Sequence, residues 1–366
     1  MNELSRPRKA VLIALDSVGI DPFGHDRPDS VYRDSEFLFP KGRSGPVIRV
    51  EHRCASGPVQ RGILVETDVT GGREHGGMEC ALTYTSIFSG FDAMERHGLM
   101  QGLGLNDKLL ESLVAERNLF ARFPSACLAN AVFPLHFPSL RGSYLQNELP
   151  HVSREEAEAR ITYQGRPVRL MGKDKWGLAE LFTAAEINQN IFVYAARRSG
   201  VRLRTWDDVR NGQALTGSLT NELENDFNFR SFGVEPLPPF TPEQAADILA
   251  GLSEEHAFVF YKYQLADLIC HTGRTDLARQ TFQTIERFIG ALLDRLDTRE
   301  TVLIVTSDHG HLEQVGFTAG HPKSQVPTWC FGPDAADKAQ LLSRPQGVFT
   351  VLDELAKEMQ SVGAAV

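Results

Sequence analysis

The sequence predicts an α/β fold: a mostly parallel sheet sandwiched by helices, with an inserted cap domain. Three observations predict it. Apolar, β-branched or aromatic runs recur at 10–15 (AVLIAL), 257–263 (AFVFYKY) and 302–305 (VLIV), and near-continuous runs of this kind read as strands buried on both faces of a parallel sheet. An amphipathic helical pattern over 275–296 separates the last two, which makes a βαβ unit. The stretch from His136 to Pro238 breaks the pattern with mixed charge and Gly and Pro interruptions. The core is therefore expected at 1–135 and 238–366, and the cap at 136–237. A chain of 366 residues also exceeds the usual size of a single core.

Taken in order, the first strand at 10–15 ends at Asp16 and enters the turn Ser17-Val18-Gly19-Ile20. It follows basic residues but lacks a small-residue cleavage site, which reads as a strand rather than a signal peptide. Residues 41–78 are irregular, with strands expected at 47–50 and 62–65. After the loop 70–77 (TGGREHGG), Ala81, Leu82, Thr85, Phe88 and Ser89 keep helical spacing up to a stop at Gly90. Cys80 then stands at the helix N-terminus, where free N–H groups and the helix dipole are expected to lower a thiol pKa. A helix at 105–116 and a strand at 126–133 follow. Within 136–238, helical stretches are expected at 154–161, 178–188 and 191–199, and a hairpin at 161–170. Arg160, Arg166, Arg169, Lys173 and Lys175 oppose a single acid, Asp174; such a cluster suits a phosphorylated ligand or forms a solvated face. After the Pro-rich linker 236–242, Thr241 caps a helix at 242–251. A last helix is expected at 350–359, with Thr350 and Asp353 spaced as a capping box.

The strand ends carry the chemistry. Asp16 follows the first strand, Asp308-His309 the strand at 302–305, and Asp267 and His271, four residues apart, share one face of a helical turn. His321 lies on the next loop. Carboxylates and imidazoles at the carboxyl ends of strands, where ligands of open α/β sheets sit, make a donor set suited to Zn or Mn. Composition excludes other classes. A net charge of −9 argues against nucleic acid as the main partner, and no apolar run reaches the length of a membrane span. Five widely spaced cysteines without a CxxC argue against a disulfide framework and for the cytoplasm.

These residues carry a family resemblance. Leu15-Asp16-Ser17-Val18-Gly19-Ile20 resembles the first motif of phosphopentomutases. Asp267-Leu-Ile-Cys-His271-Thr-Gly273 is similar to a motif of cofactor-independent phosphoglycerate mutases, and Ser307-Asp308-His309-Gly310 and 321–327 (HPKSQVP) resemble the last two motifs of both. Both belong to the alkaline phosphatase superfamily of two-metal enzymes. The resemblance covers residues 10–20, 79–93 and 255–330. It implies two divalent ions, Zn or Mn, about 4 Å apart. One would take Asp267, His271 and His321, and the other Asp16, Asp308, His309 and the nucleophile. At the nucleophile's position this chain has Cys80 in place of a Ser or Thr, and the sulfatase signature Cys-x-Pro-x-Arg is absent. Cys80 is open to three readings: nucleophile, modified residue or metal ligand only. The implied function is a two-metal-dependent hydrolase or phosphotransferase acting on a phosphate ester of a small metabolite. A phosphosugar mutase and an inactive metal-binding relative are the alternatives. Lys262, His75, Arg166 and Arg169 are the expected substrate contacts.

Overall fold

The computed structural model describes residues 9–42, 45–70, 80–97, 117–131, 162–163, 166–167, 191–225, 236–317 and 322–363. The strands are β1 (Lys9–Leu15), β2 (Val47–Arg53), β3 (Val59–Thr67), β4 (Ala126–Leu128), β5 (Thr162–Tyr163), β6 (Arg166–Pro167), β7 (Phe258–Tyr263), β8 (Thr301–Ser307) and β9 (Val326–Phe331). The helices that matter to the site and its support are α1 (Cys80–Ser89), α2 (Ile191–Arg198), α3 (Trp206–Arg210), α4 (Pro242–Glu255), α5 (Leu265–Cys270), α6 (Thr275–Arg295) and α7 (Pro345–Gly363).

Seven strands form one sheet in the order β2-β3-β9-β8-β1-β7-β4, and β5 pairs with β6 in a separate hairpin. The run β8-β1-β7-β4 is parallel throughout. The other edge is antiparallel: β9 to β8, β3 to β9 and β2 to β3. The fold is thus α/β with a mixed sheet. Sequence pattern found the parallel half because its strands are buried on both faces, as every residue of β7 and β8 is. The outermost strand β2 instead alternates, with Ile48 and Val50 buried and Val47, Arg49 and Glu51 exposed, as a strand with one solvated face does.

The period-2 rule divides β1 between two cores. Val11, Ile13 and Leu15 join the apolar cluster that includes Leu249 of α4 and Phe282 and Phe288 of α6. Ala10, Leu12 and Ala14 join the cluster that includes Phe88 of α1, Phe192 of α2 and Leu352 of α7. Helices therefore cover both faces, and the buried strands have no polar side. Register then builds the site's edge. Leu15 pairs with Tyr263 on one side and Ser307 on the other, so Asp16 and Asp308 leave adjacent strands at the same carboxyl end, with Asp16 N donating to Tyr263 O at 2.9 Å.

Several elements differ from the sequence expectation. The strand expected at 126–133 is short: β4 stops at Leu128, and Asn130 and Ala131 make only isolated bridges to Leu215 and Arg204. The terminal helix starts at Pro345, so Thr350 and Asp353 lie inside it and form no capping box. Thr350 Oγ1 donates to Gln346 O at 3.3 Å, and Asp353 pairs with Arg122 and Lys357. Within the expected insertion, Ile191, Phe192 and Val193 of α2 are buried in the same cluster as Phe260, and Leu215 and Leu219 in the cluster of Tyr261. The helices expected at 105–116, 154–161 and 178–188 lie outside the described residues.

Candidate metal centre

Asp16, Cys80, Asp308 and His309 bring one donor atom each to within 4.8 Å of one another. Three elements deliver them: the end of β1, the first residue of α1 and the end of β8. His309 Nδ1 lies 3.2 Å from Gly310 O. Donation from Nδ1–H to that carbonyl leaves the Nε2 lone pair facing the cluster, the usual arrangement behind a metal-bound imidazole. Cys80 Sγ is 3.1 Å from Nε2, Asp16 Oδ1 is 3.5 Å and Asp308 Oδ2 is 3.7 Å from it.

Each carboxylate is held by one oxygen only. Asp16 Oδ2 accepts from Lys262 Nζ at 2.8 Å, and Asp308 Oδ1 accepts from His309 N at 3.0 Å and Ser17 N at 3.3 Å. The remaining oxygens, Asp16 Oδ1 and Asp308 Oδ2, are buried with no hydrogen-bond donor. Buried carboxylate oxygens without donors are costly, and both face the same imidazole nitrogen as the thiol. This N, S, O, O set fits a divalent cation of the Zn type.

A second group, Asp267, His271 and His311, also brings its donor atoms within 4.8 Å of one another. Asp267 sits in α5 and His271 caps it, with His271 Nε2 3.5 Å from Asp267 Oδ1. The rings of His271 and His311 meet edge-on at 5.0 Å. Ser17 joins the two groups. Its hydroxyl donates to Asp267 Oδ1 at 2.5 Å and lies 3.3 Å from His309 Nδ1. Ser17 holds a left-handed φ of 68°, a strained backbone setting for a non-glycine residue that persists where surrounding structure enforces it.

The charges fit a cation as well. Burial and the Asp308 carboxylate push Asp16 up to about 7, with Lys262 pulling the other way. Burial alone would lower Lys262, but Asp16, Asp308 and Cys80 outweigh it and hold the ammonium above its ordinary value. Burial likewise works against the His309 imidazolium, while Asp308, Asp16 and Asp267 raise it. Three buried carboxylates thus face one lysine and one imidazole, and divalent ions would offset that excess of negative charge. For Cys80 the sequence expectation is reversed. Burial, then Asp308 and Asp16, raise its thiol well above the ordinary value against the pull of Lys262. The helix N-terminus does not outweigh burial together with two adjacent carboxylates.

Lys262 Nζ also lies over the Tyr84 ring at 4.9 Å and the Phe192 ring at 5.7 Å, which fixes it at the rim of the first group. His321, His75 and Arg169 lie outside the described residues, and Arg166 falls in the hairpin strand β6. Sequence reasoning passed over His311, although it stands two residues beyond His309 in the same Asp-His-Gly-His run. It also passed over Ser17, and Glu313, which accepts from Gly19 N at 2.9 Å and His311 N at 3.0 Å. A Cβ at Gly19 would overlap that carboxylate, so the glycine is what lets Glu313 brace the turn.

Residues 240–360 match the family model described as the metalloenzyme superfamily. This segment carries Asp267, His271, Asp308, His309 and His311. The more particular likeness is to the 2,3-bisphosphoglycerate-independent phosphoglycerate mutases. That of Wolinella succinogenes is 30% identical over 95 residues, covering 25% of this chain and 19% of the mutase; that of Clostridium novyi is 29% identical over 121 residues, covering 31% and 22%. The matched stretches thus span about a fifth of these relatives' lengths. Among solved structures, the alkaline phosphatase of the Antarctic bacterium TAB5 aligns with a TM-score of 0.45 at 12% identity, covering 96% of this chain and 99% of that one. Phosphoglycerate mutase of Leishmania mexicana aligns with a TM-score of 0.41 at 12% identity, covering 97% and 96%.

Proposed function

We propose that this protein is a two-metal-dependent enzyme that transfers or hydrolyses the phosphoryl group of a small phosphate ester. The observation that carries the reading is the pair of buried donor groups at the carboxyl edge of the sheet, bridged by Ser17, with Cys80 opening a helix beside them. Asp16, Cys80, Asp308 and His309 would hold one ion. Asp267, His271 and His311 would hold the other, with His321 joining by its motif. Bound there, two divalent ions would supply positive charge beside the entering sulfur and the leaving oxygen of a phosphoryl transfer. Cys80 is the group placed to attack. Its sulfur would form a bond to phosphorus as the ester P–O bond breaks, with the proton given up by the thiol passing to the departing alkoxide. Water then cleaves the S–P bond in a hydrolase, or the substrate takes the phosphoryl group back in a mutase. Lys262, held protonated against Asp16, faces the same edge with a fixed positive charge suited to the equatorial phosphoryl oxygens. The thiolate favours Zn at the Cys80 site.

The cap, in this reading, is narrower than 136–237, since α2, Leu215 and Leu219 pack on the core, and the basic residues 160–175 fall within the narrower span. The free cysteines among the described residues fit a reducing cytoplasm, and no described helix is long and apolar enough to cross a membrane.

A second reading has one observation in its favour. The raised Cys80 thiol, at the position where the resembled family implies a Ser or Thr, suits an inactive protein that binds metal and a phosphate ester without turnover. Phosphate release from a panel of sugar phosphates, with Zn or Mn added, separates the two. The enzyme reading expects release by the native protein, with Cys80→Ala reducing it by at least 10²-fold. An inert native protein whose Cys80→Ser variant gains phosphatase activity establishes the binding protein instead.

A further inference from the structure

A third set of metal donors lies away from this centre. His52, Cys54 and Asp294 bring one donor atom each to within 4.8 Å of one another. His52 is the next-to-last residue of β2, Cys54 lies in the loop between β2 and β3, and Asp294 is at the end of α6. Strand register places them at the opposite end of the sheet. Gly62 of β3 and Leu303 of β8 both pair with Phe331, so the loop before β3 lies where β8 begins, while Asp308 follows the end of β8.

We propose that His52, Cys54 and Asp294 form a Zn(II) site that ties the β2–β3 hairpin to α6. The donor types are the first ground. Thiol, imidazole and carboxylate together suit Zn(II), whereas Mg(II) and Ca(II) take oxygen donors. The second ground is that each side chain is already held in place. Cys54 is fixed by its backbone, with Cys54 N donating to Pro58 O at 2.9 Å and Gly57 N to Cys54 O at 3.0 Å. The His52 ring packs on Phe37 with centroids 4.7 Å apart, and a Cβ at Gly290 would approach its Cε1 to 3.2 Å. Asp294 Oδ1 meets His52 Nε2 at 2.9 Å and Ala55 N at 3.3 Å. The third ground is the field. Asp294 lies in the last turn of α6, and the Cys54 thiol reaches the Leu293 carbonyl at 3.7 Å; carbonyl oxygens at a helix C-terminus favour a cation.

Binding would require the Cys54 thiol to release its proton to solvent, and His52 to bind as the neutral imidazole with its one proton on the ring nitrogen away from the metal. Access exists, since the His52 and Asp294 side chains keep 16% and 26% of their exposure. The role follows from topology. Among the described residues β2 is an end strand of the sheet, and a bridge from its end to α6 would restrain that edge. The stabilisation is linked to free metal and is lost on chelation.

Cobalt substitution of the full-length protein tests the site separately from the catalytic centre. In a Cys80→Ser background, Co(II) loading is expected to retain a thiolate-to-cobalt charge-transfer band in the near ultraviolet. Adding Cys54→Ser, which changes one buried atom, should abolish the band and lower bound cobalt by one equivalent. His52→Gln in the same background should do likewise, which covers the case in which Cys54→Ser does not fold. Circular dichroism checks folding of each variant. A Cys80→Ser protein with no such band, or a band and stoichiometry unchanged by both further substitutions, overturns the proposal. Neither result depends on whether the protein hydrolyses phosphate esters.

Discussion

Replacing Asp16 with Asn should make the metal-free protein more stable, even though it removes a partner of Lys262. Asp16 rises from 3.8 to about 7 in the fold, through burial first and Asp308 second, with the Lys262 attraction already included. A carboxyl group raised in the native state binds its proton more tightly there than in the unfolded chain. Its contribution is fully present below about pH 4 and is lost as pH rises to about 7. At about 1.4 kcal/mol per pH unit, the loss is on the order of 4 kcal/mol. Glu313, also raised to about 7 by burial, acts in the same direction and is untouched by the substitution. Urea unfolding in the presence of a chelator, between pH 4 and pH 8, reads the difference. Asp16→Asn should match the native protein near pH 4 and exceed it by about 2–4 kcal/mol at pH 8. With saturating Zn or Mn the order should invert, because metal binds the deprotonated carboxylate. An Asp16→Asn protein that is less stable than native at pH 8 without metal would refute the charge reasoning on which the centre rests.

Three further outcomes follow from the same geometry. In metal-free protein, alkylation of Cys80 by iodoacetamide, followed by mass spectrometry, should stay slow through the pH range in which an ordinary thiol ionises, because burial, Asp308 and Asp16 oppose the thiolate; fast labelling at neutral pH would show that the helix terminus dominates. Ser17→Ala should weaken metal binding, measured by titration, by about 10-fold or more, the usual cost of losing a partner behind the ligands, since its hydroxyl touches Asp267 and His309. Thr241→Ala removes the capping box in which Thr241 and Gln244 satisfy each other's backbone N–H; it should cost about 1 kcal/mol in urea unfolding and leave metal content unchanged.

Local rules carried far where one interaction dominates, and less far where distant parts of the chain decide. The strands around β1, β7 and β8 were legible because burial on both faces leaves an uninterrupted apolar run. The Thr241 cap was legible because a Thr directly before a Pro that opens a helical pattern is a local signal. Thr350 and Asp353 show the limit: their spacing is that of a cap, but Gln346 O and the side chains of Arg122 and Lys357 occupy them within a longer helix. The antiparallel edge was hidden because pairing of β3 with β9 joins residues more than 250 apart. At the site, Asp16, Asp308 and His309 could be placed from strand ends alone. His311 could not, because only the turn after β8, braced by Glu313 against Gly19, brings it beside His271. The Cys80 thiol went the other way from expectation because its neighbours Asp16 and Asp308 are 64 and 228 residues away in sequence.

Metal bound at the carboxyl edge of the sheet is located directly by anomalous scattering. Crystals grown with Zn or Mn and measured above the absorption edge should give two peaks there, one among Asp16, Cys80, Asp308 and His309 and one among Asp267, His271 and His311. An anomalous map with no peak among either group would contradict the two-metal reading.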